Sequence, residues 1–497
     1  MTSPTHDDWR ARAETLKIEG RAFIDGEYVD AASGKTFDNI NPANGKVLGK
    51  VASCDAEDVD RAVRSARAAF ESGVWSRMAP VDRKKIMVRF SELMAQAREE
   101  LALLESLDVG KPITNAFNGD IPSAIGCIQW YGEAIDKLYG EVAPTTSDLT
   151  AVIHREPIGI VAAVVPWNYP LSMAAWKLGP ALASGNSVVL KPAEQSPLTA
   201  IRIAQLGLEA GLPKGVLNVV PGFGETAGRA LGLHMDVDAV GFTGSTAVGK
   251  LFMQYSGQSN IKRIGLECGG KSPHIVMADC HDLDAAARAV AAGIFSNAGQ
   301  VCNAGSRLIV EAPIREALLE KVVAIARDLV PGDPLDPATR LGAIVNQQQM
   351  ESVLGYVETG RKEGARVLVG GNRARESSGG FFVAPTVFDG VDNKMRIAQE
   401  EIFGPVLATV TVSGLDEAIM VANDSIYGLG AGIWTSDIRK AQIASKALRA
   451  GVVWVNCYDR GNMSSPFGGF KQSGFGRDKS MHAFDKYMDW KAVWTAA

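Results

Sequence analysis

From residue 158 onward the chain alternates short apolar runs with amphipathic stretches of helical length, and this rhythm decides the fold class. Five apolar runs come first: IGIVAAVV, NSVVLKP, GVLNVVPG, DAVGFTG and IKRIGLE. Strands that are buried on both faces read as continuous apolar runs, and the stretches between them are long enough to be crossover helices. The pattern therefore predicts an α/β fold built on a doubly wound parallel sheet.

A second series of the same kind follows the first, with the runs HIVMAD, RLIVEAP, ARVLVGG, VLATVTV, GAGIWTS and GVVWVNC. A chain of 497 residues exceeds what one hydrophobic core usually serves, so the two series predict two α/β domains. Gly269 and Gly270, in LECGGKSP, lie where one series gives way to the other. We expect a crevice between the domains at this junction, where ligands commonly bind.

The two ends of the chain carry different patterns. Asp55 is placed to cap a helix with one apolar face, and a second helical run covers residues 86–107 and ends before Gly110. The last segment, FDKYMDWKAVWTAA, alternates apolar and polar residues after the second domain should be complete. This alternation predicts an added strand whose free edge could pair with another subunit.

Composition and charge exclude several classes of partner. The formal net charge of −5 leaves no basic excess that would attract nucleic acid or an anionic membrane. The most apolar stretch, IGIVAAVVPW, is too short to cross a bilayer, and the N-terminal segment lacks the apolar core of a secretion signal. Six cysteines without paired spacing fit a reducing compartment, and neither CxxC nor HExxH occurs. We therefore expect a cytoplasmic protein that acts on a small molecule and needs no metal.

Two glycine-rich loops resemble phosphate-binding motifs without matching them. GSTAVGK, which contains Gly244, spells GxxxxGK, but Leu251 follows where a nucleotide-hydrolase loop needs a hydroxyl residue to hold magnesium. GFGETAG, which contains Gly224, misses the dinucleotide fingerprint by one residue. Both loops follow a predicted strand and open a predicted helix, whose free N–H groups suit a pyrophosphate. An ordinary turn and a dinucleotide site both remain open.

Three residues are candidates for catalysis on chemical grounds alone. Cys302 lies among small and amide-bearing residues in FSNAGQVCNAGS, where a helical pattern breaks down. Glu267 interrupts an apolar strand, and Asn168 follows the run 158–165 at the edge where α/β sheets present ligand groups. A buried inert thiol, a strand-end ion pair and a turn residue are the structural alternatives. A cysteine hydrolase is a further alternative, although no histidine lies near Cys302 in sequence.

Taken together, these residues resemble the aldehyde dehydrogenase family over nearly the whole chain. Two motifs are specific, LECGGKSP and FSNAGQVCNAGS, and PWNYP, KPAE, FTGST, EEIFGPV and PFGGFKQSGFGR support them in order. The resemblance implies a Rossmann-like cofactor domain (residues 1–138 and 159–269) and an α/β catalytic domain (270–477). It also implies a small β oligomerisation extension (139–158 and 478–497). The partner implied is a second copy of the chain, in a dimer or a tetramer.

The resemblance also implies a mechanism and a cofactor. Cys302 would be the nucleophile, Asn168 would stabilise the oxyanion together with the backbone N–H of Cys302, and Glu267 would be the general base. Lys177 would belong to a proton relay, at whose far end Asp478 replaces the glutamate of many relatives. The cofactor would be NAD, with NADP as the alternative. The residues expected to bind it are Trp167, Lys191, Glu194, Gly224, Gly244, Ser245, Glu401 and Phe403.

Within the family the chain resembles bacterial dehydrogenases of ω-amino aldehydes, the γ-glutamyl-γ-aminobutyraldehyde and 4-guanidinobutyraldehyde enzymes of polyamine and arginine breakdown. The similarity lies in DIPSAIGCIQWYGEAIDKLYGEVA and VNCYDRGNMSSPFGG. A cationic tail would meet Asp120 and Asp459, because ammonium and guanidinium groups bind carboxylates. The other residues expected around the substrate are Tyr169, Trp176 and Val301. Dehydrogenation of neutral aldehydes or of betaine aldehyde is the alternative, and Glu267 argues against a CoA-acylating enzyme.

Overall fold

A computed structural model describes residues 4–496, and its first large sheet is the predicted doubly wound one. The five predicted strands lie side by side and parallel. Numbered by their order in the chain, they follow one another across the sheet as third, second, first, fourth and fifth. Two N-terminal strands and one late strand extend this sheet. In spatial order its strands are Glu27–Val29, Ala22–Ile24, Leu217–Val219, Ser187–Lys191, Ile160–Val164, Ala239–Thr243, Arg263–Glu267 and Gly474–Phe475.

Both faces of this sheet are covered, which explains why its strands are uninterrupted apolar runs. In the strand Ile160–Val164, Val161 and Ala163 point into one hydrophobic core. Ile160 and Ala162 point into another, on the opposite face. The helix Pro170–Ala183 contributes to the first core, and the helix Ala56–Ser72 contributes to the second. The predicted α/β class is confirmed.

The second large sheet contains the six predicted strands of the second series and one more. In spatial order its strands are Arg366–Val369, Thr386–Asp389, Val406–Val412, Arg307–Glu311, Pro273–Val276, Gly430–Trp434 and Val452–Val455. All neighbours are parallel except the first pair. The strand Thr386–Asp389 was not predicted. It is only four residues long and directly follows a proline, so its hydrophobic pattern is too short to identify a strand.

The N-terminal third differs from the prediction in two places. Asp55 caps the helix Ala56–Ser72 through its side chain, as predicted. The prediction of a single helix over residues 86–107, however, is wrong. This segment belongs to two helices, Pro80–Gln96 and Arg98–Val109, which are separated at Ala97. Strands that the sequence reading missed precede these helices, including the hairpin Thr36–Ile40 with Val47–Ala52.

The C-terminal segment forms the predicted added strand. Met488–Ala496 pairs antiparallel with Leu149–Pro157, which in turn pairs with Glu141–Ala143. This small sheet joins the two segments that were predicted to form an extension. The domain boundaries themselves stay a prediction, and their outermost residues, 1–3 and 497, lie outside the described part of the chain.

The remaining regular elements connect the sheets and cover them. The other helices of eight or more residues are His6–Thr15, Ile121–Ala134, Leu198–Ala210, Thr246–Gln258, Leu283–Phe295, Arg315–Asp328, Gln347–Lys362, Leu415–Asn423 and Ile438–Ala447. Arg373–Ala374 and Phe382–Val383 form a two-stranded sheet. Between residues 4 and 496 no helix combines the length and the apolarity needed to cross a membrane.

Candidate active site

One cavity of about 530 Å³ lies where strands of the first sheet end and loops of the second domain begin. Its wall includes residues that directly follow Ile160–Val164 and residues at the ends of Ala239–Thr243 and Arg263–Glu267. Ligands of open α/β sheets bind at this carboxyl edge. The predicted site residues in its wall are Asp120, Trp167, Asn168, Tyr169, Trp176, Gly244, Ser245, Glu267, Val301, Cys302, Glu401, Phe403 and Asp459. Lys177, Lys191, Glu194 and Gly224 lie outside this wall.

A tightly held loop presents Cys302 to the cavity. After the helix Leu283–Phe295 the backbone of Asn297, Ala298 and Gly299 is left-handed, with φ of 49°, 53° and 73°. The Gln300 side chain donates to the carbonyls of Asn297 (3.0 Å) and Ala343 (3.2 Å) and accepts from the Val345 N–H (2.9 Å). The unfavourable conformation therefore persists because these hydrogen bonds hold it.

The surroundings of Cys302 favour the protonated thiol. Burial raises the pKa of Cys302, and the nearby carboxylates of Glu401 and Glu267 raise it further. The thiol must lose its proton before it can attack a substrate, because only the thiolate is a strong nucleophile. No histidine lines the described cavity wall, so the pairing expected in a cysteine hydrolase is not found there.

The Asn168 side chain is fixed next to the cysteine loop. Its Nδ2 donates to the carbonyl oxygen of Gln300 at 2.9 Å, and its own backbone carbonyl accepts from Nδ2 of Asn297 at 3.0 Å. An amide nitrogen carries two N–H groups, so one donor remains for a ligand. Asn168 is only 4% exposed and lines the cavity. It is therefore a preorganised donor of the kind that stabilises an oxyanion.

Glu267 is a buried carboxylate without a hydrogen-bond partner. It is the last residue of its strand, it is 4% exposed, and neither of its side-chain oxygens is bonded to the described protein. Burial raises its pKa well above the usual value, and the negative charge of Asp478 adds to this effect. A carboxylate with a raised pKa is a stronger base, and these free oxygens can bind a water molecule.

Behind Glu267 lies a buried group of opposite charges. Lys177 and Lys486 both form ion pairs with Asp478, and Asp478 is fully buried. Although burial raises the pKa of Asp478, the two lysines lower it more strongly, so its net shift is downward. Lys177, predicted as a relay residue, thus lies outside the cavity wall but exerts its charge on Glu267. The sequence reading missed Lys486, which carried no motif.

The glycine loop around Gly244 has the geometry of an anion site. Ser245 is the N-cap of the thirteen-residue helix Thr246–Gln258, and its hydroxyl accepts from the Val248 N–H at 3.3 Å. The helix N-terminus offers its remaining N–H groups and a favourable dipole to a phosphate group. In the second loop, GFGETAG, residues Gly224–Gly228 form a π-helical turn, and the loop adds no residue to the cavity wall.

The acidic residues expected at the cofactor's two ribose rings lie in different surroundings. Nζ of Lys191 lies 3.6 Å from the Glu194 carboxylate, at the end of a buried strand. Glu401 lines the cavity, accepts from the Gly270 N–H at 3.2 Å and packs so closely on Gly269 that any side chain there would overlap its carboxylate. Burial raises the pKa of Glu401 to about 7.

The aromatic residues of the cavity lie at opposite ends of the predicted site. At the predicted cofactor end the rings of Trp167 and Phe403 pack edge to face, with centroids 5.1 Å apart. At the other end Trp176 packs in the same way on Phe467, at 5.2 Å. Phe467 was not predicted as a site residue. It is the first aromatic residue of the PFGGFKQSGFGR motif, so its place in that motif was the signal that could have identified it.

The two carboxylate side chains predicted to bind the substrate differ in their interactions with the rest of the protein. Asp120 forms an ion pair with the buried Lys111, whose ammonium also lies 3.4 Å from Glu105. Asp459 accepts from Nδ2 of Asn303 at 2.7 Å and is otherwise exposed. The sequence reading identified neither Lys111 nor Asn303 as partners. Their roles could not be read from the sequence, because each contact depends on how the chain folds.

Comparison with known proteins identifies a family. Residues 28–493 match the model of the "Aldehyde dehydrogenase family". The chain is 50% identical to an aminoacetaldehyde dehydrogenase of Pseudomonas aeruginosa, over 99% of each protein. An indole-3-acetaldehyde dehydrogenase in complex with NAD+ has 59% identity over 100% of both chains and a TM-score of 0.99. A γ-glutamyl-γ-aminobutyraldehyde dehydrogenase from Burkholderia cenocepacia has 56% identity and a TM-score of 0.98, over 99% of this chain and 100% of that one.

Proposed function

Because this chain belongs to the aldehyde dehydrogenase family, we propose that it oxidises ω-amino or guanidino aldehydes to carboxylic acids with NAD or NADP. Examples are γ-glutamyl-γ-aminobutyraldehyde and 4-guanidinobutyraldehyde. The observation that carries the proposal is that Cys302, Asn168 and Glu267 line one cavity, which Ser245 and Glu401 also line. Relatives named for aminoacetaldehyde and for γ-glutamyl-γ-aminobutyraldehyde support the substrate class.

In the first step the Cys302 thiol releases its proton to solvent in the cavity, and the thiolate attacks the aldehyde carbon. A C–S bond forms while the C=O π bond breaks, and its electrons place a negative charge on the former carbonyl oxygen. The free N–H of the Asn168 side chain and the backbone N–H of Cys302 would stabilise that oxyanion. One preorganised donor of this kind lowers a barrier by about 3 kcal/mol. Because Gln300 anchors both the loop and Asn168, these groups need little rearrangement during the reaction.

The residues present fit a dinucleotide cofactor. The N-terminus of Thr246–Gln258, with Ser245, suits the pyrophosphate, and Lys191 with Glu194 suits the adenosine ribose. Glu401 would bind the nicotinamide ribose, beside Phe403. The carboxylate of Glu194 at the adenosine ribose favours the 2′-hydroxyl of NAD over the 2′-phosphate of NADP, so we expect a preference for NAD. Held by these residues, NAD(P) would supply the hydride acceptor for the oxidation.

The last step is hydrolysis of the thioester that remains on Cys302. Glu267 would take a proton from a water molecule, whose oxygen then attacks the thioester carbon and displaces the thiolate. The carboxylic acid leaves, and Cys302 is regenerated. The unpartnered oxygens and the raised pKa of Glu267 support this role, since both favour proton transfer from water at neutral pH.

The test is NADH formation, followed by absorbance at 340 nm, with NAD and a panel of aldehydes. The proposal predicts NADH without added CoA, and more efficient oxidation of the charged aldehydes than of hexanal. NADH that forms only with CoA would indicate an acylating enzyme, and ester cleavage without any NADH would indicate a cysteine hydrolase. Oxidation of hexanal in preference to both charged aldehydes would contradict the substrate class.

We also propose that the chain forms a homo-oligomer, a dimer or a tetramer. The small sheet that ends with Met488–Ala496 exposes Trp490 and Trp494, at 50% and 61% of their surfaces. Exposed aromatic residues on an edge strand favour pairing with another chain. Light scattering coupled to size exclusion measures the mass directly, and a monomer of 52.8 kDa would contradict the proposal.

A further inference from the structure

The substrate end of the cavity is not simply acidic. The buried Lys111 already compensates the charge of Asp120, and its ammonium also lies over the Tyr169 ring, 3.9 Å from the centroid. This leaves Asp459 as the carboxylate available to a ligand, since its single hydrogen-bonded partner in the described part of the chain is the neutral amide of Asn303. A purely cationic tail would therefore find one available negative charge at this end rather than two.

A positive charge lines the same end of the cavity. The ammonium of Lys479 lies 5.4 Å from the centroid of Trp176 and next to Gly461, and all three residues belong to the cavity wall. Burial lowers the pKa of Lys479, while the charge of Asp459 raises it. Within residues 4–496 no carboxylate oxygen lies within 4.0 Å of this ammonium. Asp459, whose charge acts on Lys479, lines the same cavity without forming an ion pair with it.

The backbone holds Lys479 in this position at an energetic cost. Lys479 and Ser480 have left-handed φ values of 60° and 51°, which non-glycine residues rarely adopt. On one side, Phe467 and Asp478 exchange two backbone hydrogen bonds of 2.8 and 2.7 Å. On the other, the Ser480 N–H donates to the Met463 carbonyl at 2.7 Å. Strain of this kind persists where the surroundings fix it, and it concentrates at functional sites.

We propose that Lys479 and Asp459 form a subsite for a substrate tail that ends in both a carboxylate and an ammonium group, and that Lys479 determines specificity for such tails. This inference rests on the proposed function and narrows it. Lys479 would bind the carboxylate, Asp459 would bind the ammonium, and Trp176 with Phe467 would pack on the linker. The substrate class is therefore an aldehyde whose far end is an α-amino acid. A guanidinium tail would instead meet the like charge of Lys479.

The test compares three aldehydes that differ in the charge of the tail. They are γ-glutamyl-γ-aminobutyraldehyde (zwitterionic), 4-guanidinobutyraldehyde (cationic) and hexanal (neutral). The main variant is Lys479→Asn, because asparagine tolerates the left-handed backbone. The matched control is Lys479→Arg, which keeps the charge. Losing one charge-assisted contact at a half-buried site should raise KM for the zwitterionic aldehyde about tenfold.

The three substrates separate specificity from catalysis. In Lys479→Asn we expect kcat to be preserved, KM for hexanal to be unchanged and KM for 4-guanidinobutyraldehyde to be unchanged or lower. Lys479→Arg should restore most of the affinity for the zwitterion. In the wild type, added salt should raise KM for the zwitterion but not for hexanal, because salt screens charge pairs near the surface. This last measurement needs no variant, so it applies even if a substitution at position 479 impairs folding.

The outcomes distinguish this proposal from the one it rests on. An unchanged KM for the zwitterion in Lys479→Asn, or the same change for all three aldehydes, would overturn the role of Lys479. Both results would leave the proposed dehydrogenase function intact. If the wild type forms no NADH from any of the three aldehydes, the proposed function itself fails.

Discussion

Replacing Glu267 by glutamine separates the two halves of the proposed reaction. Neither oxygen of Glu267 has a partner in the described protein, so the isosteric amide breaks no hydrogen bond and should leave the melting temperature nearly unchanged. The amide cannot accept a proton from water. A general base contributes about 10²–10⁴-fold to rate, so steady-state turnover should fall by that factor while acyl transfer to Cys302 continues.

Stopped-flow absorbance at 340 nm makes this separation visible. In Glu267→Gln we expect a rapid burst of one NADH per active site, followed by a slow steady phase, because the thioester forms but is not hydrolysed. In the wild type the raised pKa of Glu267 should appear as an acidic limb of kcat. The base works only when it is deprotonated, so activity falls as pH drops through that pKa. The limb should be absent in the variant.

Two results would refute this reasoning. Steady-state turnover at the wild-type rate in Glu267→Gln would show that another group activates the water. Loss of the burst together with turnover, in a variant that still folds and binds cofactor, would show that Glu267 acts before hydride transfer. Glu267→Asp is a matched control, because it keeps the charge but withdraws the carboxylate by one methylene group. It should retain part of the hydrolysis.

Further substitutions test the oxyanion donor and the cofactor site. Asn168→Ala removes a donor worth about 3 kcal/mol, so kcat should fall at least about 100-fold, and a change below about threefold would argue against oxyanion stabilisation. Because burial raises the pKa of Glu401 to about 7, its carboxylate form is lost as pH falls through that value. The Kd for NAD, followed by isothermal titration calorimetry, should therefore rise between pH 8 and pH 6, and Glu401→Gln should remove this dependence. An equally steep dependence in the variant would assign the titration to another group.

The architecture of the large sheets could be predicted because burial on both faces leaves a strong pattern in the sequence. The strand Ile160–Val164 is apolar at every position, and its alternate residues fill two different cores. The strand Thr386–Asp389 is equally buried but only four residues long, and its pairing depends on Val406–Val412. The N-terminal strand Glu27–Val29 was missed for a related reason, since it is only partly buried and lacks an apolar run.

The reacting groups were predictable from local motifs, but their electrostatic surroundings were not. LECGGKSP and FSNAGQVCNAGS identified Glu267 and Cys302, and the structure places both in one cavity wall. The partner of Asp120, however, is a lysine nine residues earlier, and only the folded chain shows that it is buried there. Lys479 lies two residues after the PFGGFKQSGFGR motif, so the motif did not identify it. Only the folded chain shows its left-handed backbone and the position of its ammonium near the Trp176 ring.

The central claim is that the sulfur of Cys302 bonds covalently to the substrate carbon before the hydride leaves. The most direct measurement is single-turnover NADH formation in Cys302→Ala, with the Kd for NAD determined on the same preparation. We expect cofactor binding close to that of the wild type and no NADH from any aldehyde, and a Cys302→Ser control should be almost as inactive. NADH formation at the wild-type rate in Cys302→Ala would contradict this claim.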